Sequence, residues 1–416
     1  MQHNIENSNN TLTNLMREVS DRAARSADFI APTNQLQIET VELDESEVKH
    51  NLSRIIIEGS GGEPTRTLAI NDVCLDQIAD KAGINVKTAR RLQQNYPDVF
   101  DLAIQRFWEQ EPANNMIRTH LTEDERFGTA RAFVSERFKT FDNVHLLNAI
   151  LPQLIDSPAQ WRVVNGAVTD KRLYLRLKSE KIVGDREANP FVGDCHANGY
   201  AGIGENPDLP ATRKIDGRNR AKGDVMALGI GAGNSEVGLG SAQVYQMYWT
   251  LDCLNGLQTE RRMRQAHLTS ARGDSELVKL LSDETIQADN ELLAMKMRDV
   301  VASYSSEESF ADMLDRMHRA AADVLSPSTK LTDAVGVMGK VLRLTKDETG
   351  NVLAGLMATL QQPGYKDQAP SRAAFVNATT AVANMVGPDE VDDWQKRGGV
   401  VLDMPASDWR RVAEAA

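Results

Sequence analysis

The chain has 416 residues, 41% of them hydrophobic, and a formal net charge of −12 at neutral pH. This length provides core for two or three domains, and the acidity argues against indiscriminate nucleic-acid binding, which needs clustered Lys and Arg. The N-terminal residues form no secretory signal, and no apolar run approaches the roughly 18 residues of a membrane span. Three widely separated cysteines form no CxxC pair, so we expect a cytoplasmic protein without disulfides, zinc knuckles or membrane association.

Charge is distributed unevenly along the chain. Between Arg162 and Arg272, Lys and Arg outnumber Asp and Glu by four, whereas the rest of the chain is strongly acidic. This contrast, together with the hydrophobic periodicity, divides the sequence into four predicted regions. They are an N-terminal tail and helix (1–35), an α+β region with a small helical subdomain (36–160), a central basic core (161–272) and an acidic helical region (273–416).

The first two regions predict helices and hairpins. The Asn-rich residues 1–10 predict disorder, followed by a helix with Thr11 as its N-cap. Residues 71–100 have the spacing of a helix–turn–helix around Gly83, and the same pattern fits two short helices packed on a sheet. The other predicted elements are helices over 12–29, 100–110 and 144–155 and two hairpins, 52–58 with 66–70 and 116–120 with 128–138.

The central core contains a strand with cations on one side. In RLYLRLK, over 172–178, the leucines alternate with polar residues, so one side of the strand faces a core and the other side faces away from it. Cations beside a ring are what single-stranded nucleic acid requires, for its phosphates and for base stacking. A solvated strand with a chance excess of cations explains the pattern as well. The outward residues are Arg172, Tyr174, Arg176 and Lys178.

A long loop over 184–223, rich in Gly, Pro, Asn and Asp, precedes the central hairpin. Loops of this length inside a domain are usually functional. Its second half holds the densest basic cluster of the chain, which predicts phosphate contacts, although a solvated insertion is the alternative. Asp194, Cys195 and His196 are adjacent but lack distant partner ligands, so we expect no metal site. The basic cluster consists of Arg213, Lys214, Arg218, Arg220 and Lys222.

The glycine-rich stretch GIGAG, over 229–233, suggests a dinucleotide-binding loop. That motif must open a helix, whereas here a second strand follows, so we predict a hairpin with a close backbone approach. Asn234, Ser235 and Glu236 at its tip either bind a ligand or shape the turn. The next strand, over 242–253, offers Tyr248 as a second stacking ring. The Asn-Gly turn after it predicts a helix carrying Arg261, Arg262 and Arg264.

The acidic C-terminal region predicts mostly helices. One long amphipathic helix is expected over 273–325, and another begins after the Ser-Pro pair at 326–327. A helix of small residues follows over 371–385. The two glycines at 398–399, with VVLDMP after them, predict a turn and a strand before a last short helix. The predicted fold class is therefore α+β, with a strand–strand–strand–helix core around a central antiparallel sheet and helical N- and C-terminal regions.

Several segments together resemble one known family. They are ADFIAPTNQL, RAFVSERFKTFDN, VTDKRLYLRL, GNSEVGLGSAQV with DCLNGL, and FVNATTAVAN. These resemble the phage/plasmid-like proteins, a family of unknown function encoded by phages and plasmids, and the likeness covers nearly the whole chain. The long basic insertion over 184–223 departs from that pattern. The resemblance implies a phage or mobile-element origin, hence the host cytoplasm, and a soluble α+β protein. The strand–strand–strand–helix core is also similar in architecture to phage single-strand annealing proteins, without shared motif residues.

These observations favour a single-stranded DNA-binding protein of a phage or mobile element, involved in strand annealing, recombination or replication as a homo-oligomer. The earlier strand would extend its groove through Arg131, Arg137 and Lys139. The alternatives are a regulator that binds duplex DNA through the helix pair, and a non-enzymatic protein that binds a host or assembly partner. An enzyme is the last alternative, because the polar candidates form no recognisable catalytic triad, carboxylate pair or metal set, and we expect no cofactor. These candidates are Glu236, Asp252, His196 and His267.

Overall fold

The computed structural model describes residues 2–45, 48–59, 64–185, 214–215, 218–219, 225–250, 255–265, 283–361, 365 and 368–415. Over these residues the chain is α+β with two large sheets, which confirms the predicted fold class and the helical C-terminal region. It begins with helix α1 (Gln2–Ala24), so the expectation of disorder over 1–10 is wrong where the structure describes it, and Thr11 is no N-cap.

A six-stranded sheet forms the first unit. Its order is β1-β5-β6-β4-β3-β2, and every pair is antiparallel except β4 with β6. Both predicted hairpins are present in it. The strands are β1 (Ser26–Pro32), β2 (Leu36–Glu45), β3 (Val48–Ile57), β4 (Arg66–Ile70), β5 (Asn114–Leu121) and β6 (Phe127–Ser135).

Three helices cover one face of this sheet. They are α2 (Asp72–Lys81), α3 (Val86–Asn95) and α4 (Pro97–Gln110), and their apolar sides share a core with the sheet. Asn71 caps α2 by accepting from the Cys74 amide, and Gly83, at a φ of +66°, turns the chain into α3. The helix pair predicted between the hairpins therefore packs on the sheet.

A five-stranded antiparallel sheet forms the second unit, in the order β13-β12-β11-β8-β7. Apolar side chains of α1 and of two further helices, α5 (Asn143–Ile155) and α6 (Asp283–Tyr304), pack against one of its faces. A two-stranded pair, β9 (Lys214–Ile215) with β10 (Arg218–Asn219), lies within the long loop. The sheet strands are β7 (Trp161–Val168), β8 (Leu173–Asp185), β11 (Val225–Asn234), β12 (Ala242–Thr250) and β13 (Asn255–Gln265).

The other face of this sheet meets a C-terminal bundle of helices. Phe310, Leu356 and Phe375 belong to one core with Tyr248 and Leu257 of the sheet. Beyond α6 the helices are α7 (Glu307–Ala322), α8 (Leu331–Val341), α9 (Lys346–Thr359), α10 (Arg372–Ala381), α11 (Pro388–Leu402) and α12 (Ala406–Ala413).

Four predicted elements differ in the structure. The helix expected over 12–29 ends at Ala24, and residues 26–29 lie in β1. The segment after the Asn-Gly turn is strand β13 rather than a helix, because it pairs with β12 along the sheet edge. The single helix expected over 273–325 is, within the described residues, two helices that break at Ser305–Ser306, where Ser306 caps α7. The predicted turn and strand at 398–404 lie in and after α11. A Cβ on Gly398 would be 2.3 Å from Thr380 Cγ2, so this glycine serves close packing rather than a turn.

The glycines of β11 make room for large side chains of the neighbouring strand β12. Gly229, Gly231 and Gly233 lie on the sheet face opposite Ile230 and Ala232. A Cβ on Gly231 would be 2.0 Å from the Tyr245 ring, and one on Gly229 would be 2.6 Å from Met247 Cγ. The predicted hairpin with a close approach is thus confirmed, although large side chains make the approach instead of a ligand.

Candidate nucleic-acid interface

The basic side of β8 is buried rather than exposed. Tyr174 and Arg176 are 4% and 1% exposed, and the guanidinium of Arg176 lies 4.6 Å from the centre of the Tyr174 ring. Arg176 donates to Asp392 on α11 at 2.5 Å. The expectation that these two side chains contact nucleic acid is therefore wrong for this conformation, because α11 covers them. Tyr248 is also buried, stacked on Phe310.

Asp392 is the centre of this buried network. Its Oδ1 accepts hydrogen bonds from Arg176, from the Tyr245 hydroxyl at 3.1 Å and from Gln258 Nε2 at 3.1 Å. Burial by itself raises the pKa of Asp392, but the charge and hydrogen bond of Arg176, with smaller contributions from Lys396 and Tyr245, bring it below its ordinary value. The carboxylate is therefore ionised at neutral pH and holds α11 on the sheet.

The remaining predicted cations are dispersed. Arg131 is buried and pairs with Glu236 at 2.8 Å, so it does not extend a groove along β8, and Lys139 pairs with Asp289 of α6. Arg172, Lys178 and Arg137 are half-buried. Arg213, Arg220 and Lys222 lie outside the described residues, as do Asp194, Cys195 and His196. The structure describes only the backbone, in β9, β10 and β13, for Lys214, Arg218, Arg261 and Arg262.

The tip of the central hairpin fastens the second unit to the first. Glu236 accepts from Arg131 and, through Oε1, from the Asn143 amide at the start of α5 at 2.8 Å, while its carbonyl accepts from Arg118. Asn234 donates to the Phe141 carbonyl at 2.7 Å. The side chains of Asn234 and Glu236 therefore bond to distant segments of the chain, a role beyond the ligand binding or turn formation predicted for them. They form an inter-sheet clasp, and we use that name for Asn234, Glu236, Arg118 and Arg131.

The face of the six-stranded sheet opposite α2, α3 and α4 is partly covered by the clasp, and the part that the clasp leaves open is the stronger candidate for an interface. Five neighbouring strands each place one residue in a row across this face, because residues paired in a sheet point the same way. The sheet's other face carries the apolar core under α2, α3 and α4. From β1 to β3 the row reads Ser26, His120, Thr129, Ala69 and Arg54.

An open cleft of 640 Å³ lies over this row, and we call it the arginine cleft. Four arginines line it, against one acidic residue, Asp170. Arg54 and Arg25 have no carboxylate partner among the described residues, and Glu39, opposite Arg54 on β2, forms no ion pair with it. The lining arginines are Arg22, Arg25, Arg54 and Arg131.

The protonation of His120 reflects the positive charge of the cleft. Burial, followed by the charges of Arg131, Arg22, Arg25 and Arg118, lowers the pKa of His120 to about 3. The ring is therefore neutral at physiological pH. Its Nε2 is buried and has no hydrogen-bond partner among the residues that the structure describes, and the same holds for Nε of Arg131, which is 6% exposed. Buried polar atoms without partners are uncommon, and an ordered water or ion is one way in which such atoms are satisfied.

An exposed aromatic ring stands at the same cleft. Phe127, at the start of β6, is 51% exposed, and Arg126 lies over its ring at 5.9 Å. A single exposed apolar side chain is common on protein surfaces, but a ring next to arginines can stack on a base. Sequence reasoning identified MIRTH and the strand after it as a hairpin but overlooked His120, Phe127 and Arg54. The sequence does contain one indication of this site, because Arg54 places a cation within the apolar stretch LSRIIIE.

Within the described residues, no group of three or more His, Cys, Asp and Glu side chains is placed to hold a metal ion. No helix in the part of the chain that the structure describes is long and apolar enough to cross a membrane.

Comparison with models of known protein families, with curated proteins and with solved structures found no match to this chain. The resemblance to phage and plasmid proteins, and with it the origin, therefore stays a prediction.

Proposed function

We propose that the protein binds single-stranded nucleic acid, DNA being the first candidate, along the part of the six-stranded sheet that the clasp leaves open. The observation that carries the proposal is the arginine cleft. It is lined by Arg25 and Arg54, which have no carboxylate partner among the described residues, by a buried Arg131 Nε without a described partner, and by the exposed Phe127 ring. Phosphates would lie against the arginines, and a base would stack on the ring. A role in annealing, recombination or replication for a mobile element remains part of this proposal.

The local charge explains how an acidic protein can do this. Electrostatic attraction to phosphate falls off within about a Debye length, about 8 Å at physiological salt, so the arginines of the cleft outweigh distant acidic helices. For single strands, the logarithm of affinity falls with the logarithm of salt concentration by about 0.7 per neutralised phosphate. Arg22 already pairs with Glu18 and Arg131 with Glu236. If Arg25 and Arg54 each contact one phosphate, we expect a slope of about −1.4.

Fluorescence anisotropy with a labelled 20-nucleotide thymidine strand tests the proposal. Arg54→Ala should weaken binding and make the salt slope shallower by about 0.7. Phe127→Ala should weaken it by roughly tenfold or more, because stacking on a ring is worth about 1–3 kcal/mol per base. The matched control is Arg91→Ala, because Arg91 is an exposed arginine on α3, on the covered side of the sheet.

The same control separates the two DNA hypotheses. A regulator that binds duplex DNA through α2 and α3 would lose affinity on Arg91→Ala and would prefer duplex over single strands. The ion pair of Arg90 with Asp76 at 2.8 Å leaves less charge free on α3 for such a role. Absence of binding to any oligonucleotide, or equal loss from Arg54→Ala and Arg91→Ala, contradicts the proposal.

Two earlier expectations accompany this proposal. The basic loop is tested by the double variant Arg213→Ala with Lys214→Ala, which we expect to lose binding. Self-association is tested by light scattering with and without the oligonucleotide, and we expect a homo-oligomer whose size increases when DNA is added.

A further inference from the structure

A second cleft lies at the ends of the glycine-rich strands, on the side of the sheet that α11 covers. Its volume is 390 Å³, which suits a molecule of the size of an amino acid or a small peptide. The ends of β8 and β11, the loop between β11 and β12, and the first half of α11 surround it. We call it the strand-end cleft.

A missing side chain provides part of the space. Gly233 lies between Tyr174 and Gln243 in the register of the sheet, so the middle strand has no side chain where its neighbours have large ones. A Cβ there would be 3.5 Å from Gln243 Nε2, in ordinary contact, so the glycine is not required by crowding. Gln243 lines the cleft, and the missing side chain at Gly233 leaves space beside the Gln243 amide.

One wall of the cleft carries a cation without a partner. The Arg172 guanidinium donates no hydrogen bond to any residue that the structure describes, and its Nε is out of contact with solvent. Leaving a buried donor of this kind unpaired costs free energy, which a bound anionic group offsets. A carboxylate matches the planar guanidinium through two parallel hydrogen bonds. The Arg172 side chain is therefore suited to hold a carboxylate.

The opposite wall carries carboxylates. Asp392 is buried, and the three described side chains that donate to it all bind Oδ1, so Oδ2 accepts from no described residue. Asp393 is more exposed, with its Lys396 contact at 3.4 Å. An ammonium group supplies three donors for such acceptors. Arg176 pairs with Asp392 and Lys396 with Asp393, so together with Arg172 the charges around the cleft are mixed rather than of one sign.

We propose that the strand-end cleft binds a small zwitterion with the charge pattern of a free α-amino acid. Its carboxylate would pair with Arg172, and its ammonium group would face Asp392 and Asp393. The ligand would occupy the unpaired donor and the unpaired acceptor together, while the cleft as a whole stays close to neutral. This site does not depend on nucleic-acid binding.

The test uses the full-length protein without nucleic acid. Each of the twenty L-amino acids, at millimolar concentration, is screened for a rise in melting temperature, because a ligand that binds the folded state stabilises it. Isothermal titration calorimetry then compares the best amino acid with its N-acetyl and its methyl ester derivatives. We expect binding of one or more amino acids, and at least about tenfold weaker binding of both derivatives, since each lacks one charge.

Two variants locate the site. Arg172→Gln should weaken binding by about tenfold or more without lowering the melting temperature, because its guanidinium supports no other described group. Lys171→Gln, at the neighbouring and 51% exposed position, should bind as the unaltered protein does. The proposal is overturned if no amino acid binds, if either derivative binds equally well, or if Arg172→Gln leaves affinity unchanged.

Discussion

Removing the charge of Asp392 should be among the most destabilising single substitutions in this protein. The side chains of Arg176 and Asp392 are 1% and 4% exposed, and they meet at 2.5 Å. Asp392→Asn retains an oxygen for Tyr245 and Gln258 but leaves the arginine charge buried without an anion. Breaking a buried pair in this way costs about 3–5 kcal/mol, whereas an exposed pair contributes about 0–1 kcal/mol.

Urea denaturation followed by tryptophan fluorescence measures this loss. The exposed pair Arg411–Asp408, at 3.4 Å, provides the matched control, and Asp408→Asn should cost about 1 kcal/mol or less. Adding Arg176→Met to Asp392→Asn should restore stability, because it removes the uncompensated charge. Our reasoning is refuted if Asp392→Asn costs no more than Asp408→Asn, or if Arg176→Met destabilises the Asp392→Asn variant as much as it destabilises the unaltered protein.

The pH dependence of the same pair has a definite sign. The pKa of Asp392 is lower in the folded state than its unfolded value of about 3.9, so the pair's contribution is complete above that value. It is lost as the pH falls through the lowered folded pKa. The difference in stability between the unaltered protein and Asp392→Asn should therefore be constant from pH 7 to 5 and should shrink below about pH 4.

Three further predictions concern the glycine strand, the clasp and the histidine. Gly231→Ala places a Cβ 2.0 Å from the Tyr245 ring and should lower the free energy of unfolding by about 1–3 kcal/mol in thermal or urea unfolding. Gly336→Ala meets no atom within 4 Å and should be neutral or stabilising. Equal effects of the two substitutions would contradict the packing argument. Glu236→Gln should loosen the clasp and speed limited proteolysis between the two sheets, and an unchanged cleavage rate would argue against that role. Because His120 has a pKa of about 3 when folded and about 6.5 when unfolded, its contribution should lower stability as pH falls from about 6.5 towards 3, and His120→Gln should reduce that slope in acid denaturation.

The periodicity of the sequence identified most elements because local patterns determine them. RLYLRLK predicted a strand with leucines on one side, and Leu173, Leu175 and Leu177 do face the core with α1 and α5. Which molecule covers the other side was not predictable, because the partner, Asp392, lies 216 residues away from Arg176. A cation on a strand face indicates a binding surface only when nothing later in the chain covers it.

Two other errors have the same physical origin. The segment TERRMRQ has good helix formers, but pairing with β12 places it in a strand, as tertiary contacts often override weak propensities. The two glycines of α11 are typical of a turn, yet Gly398 permits close contact with Thr380 and Leu257. In both cases the deciding neighbour is distant in sequence.

The arginine cleft was missed for a related reason. Arg22 and Arg25 lie at the end of α1, Arg54 in β3 and Arg131 in β6, and no stretch of sequence contains more than two of them. The fold assembles the charge from elements that are individually unremarkable in composition. The basic cluster over 213–222 is visible in the sequence because its five cations lie within ten residues. The arginines of the cleft lie in segments that are far apart in sequence, so no local pattern indicates them together.

Photocrosslinking tests the central claim most directly. A thymidine strand that carries 5-iododeoxyuridine at single positions is irradiated with the protein, and the attached peptides are identified by mass spectrometry. We predict adducts on Phe127 or His120, the aromatic residues of the arginine cleft. Adducts confined to α3, or crosslinks to Tyr174 on the buried face of β8, would contradict the claim.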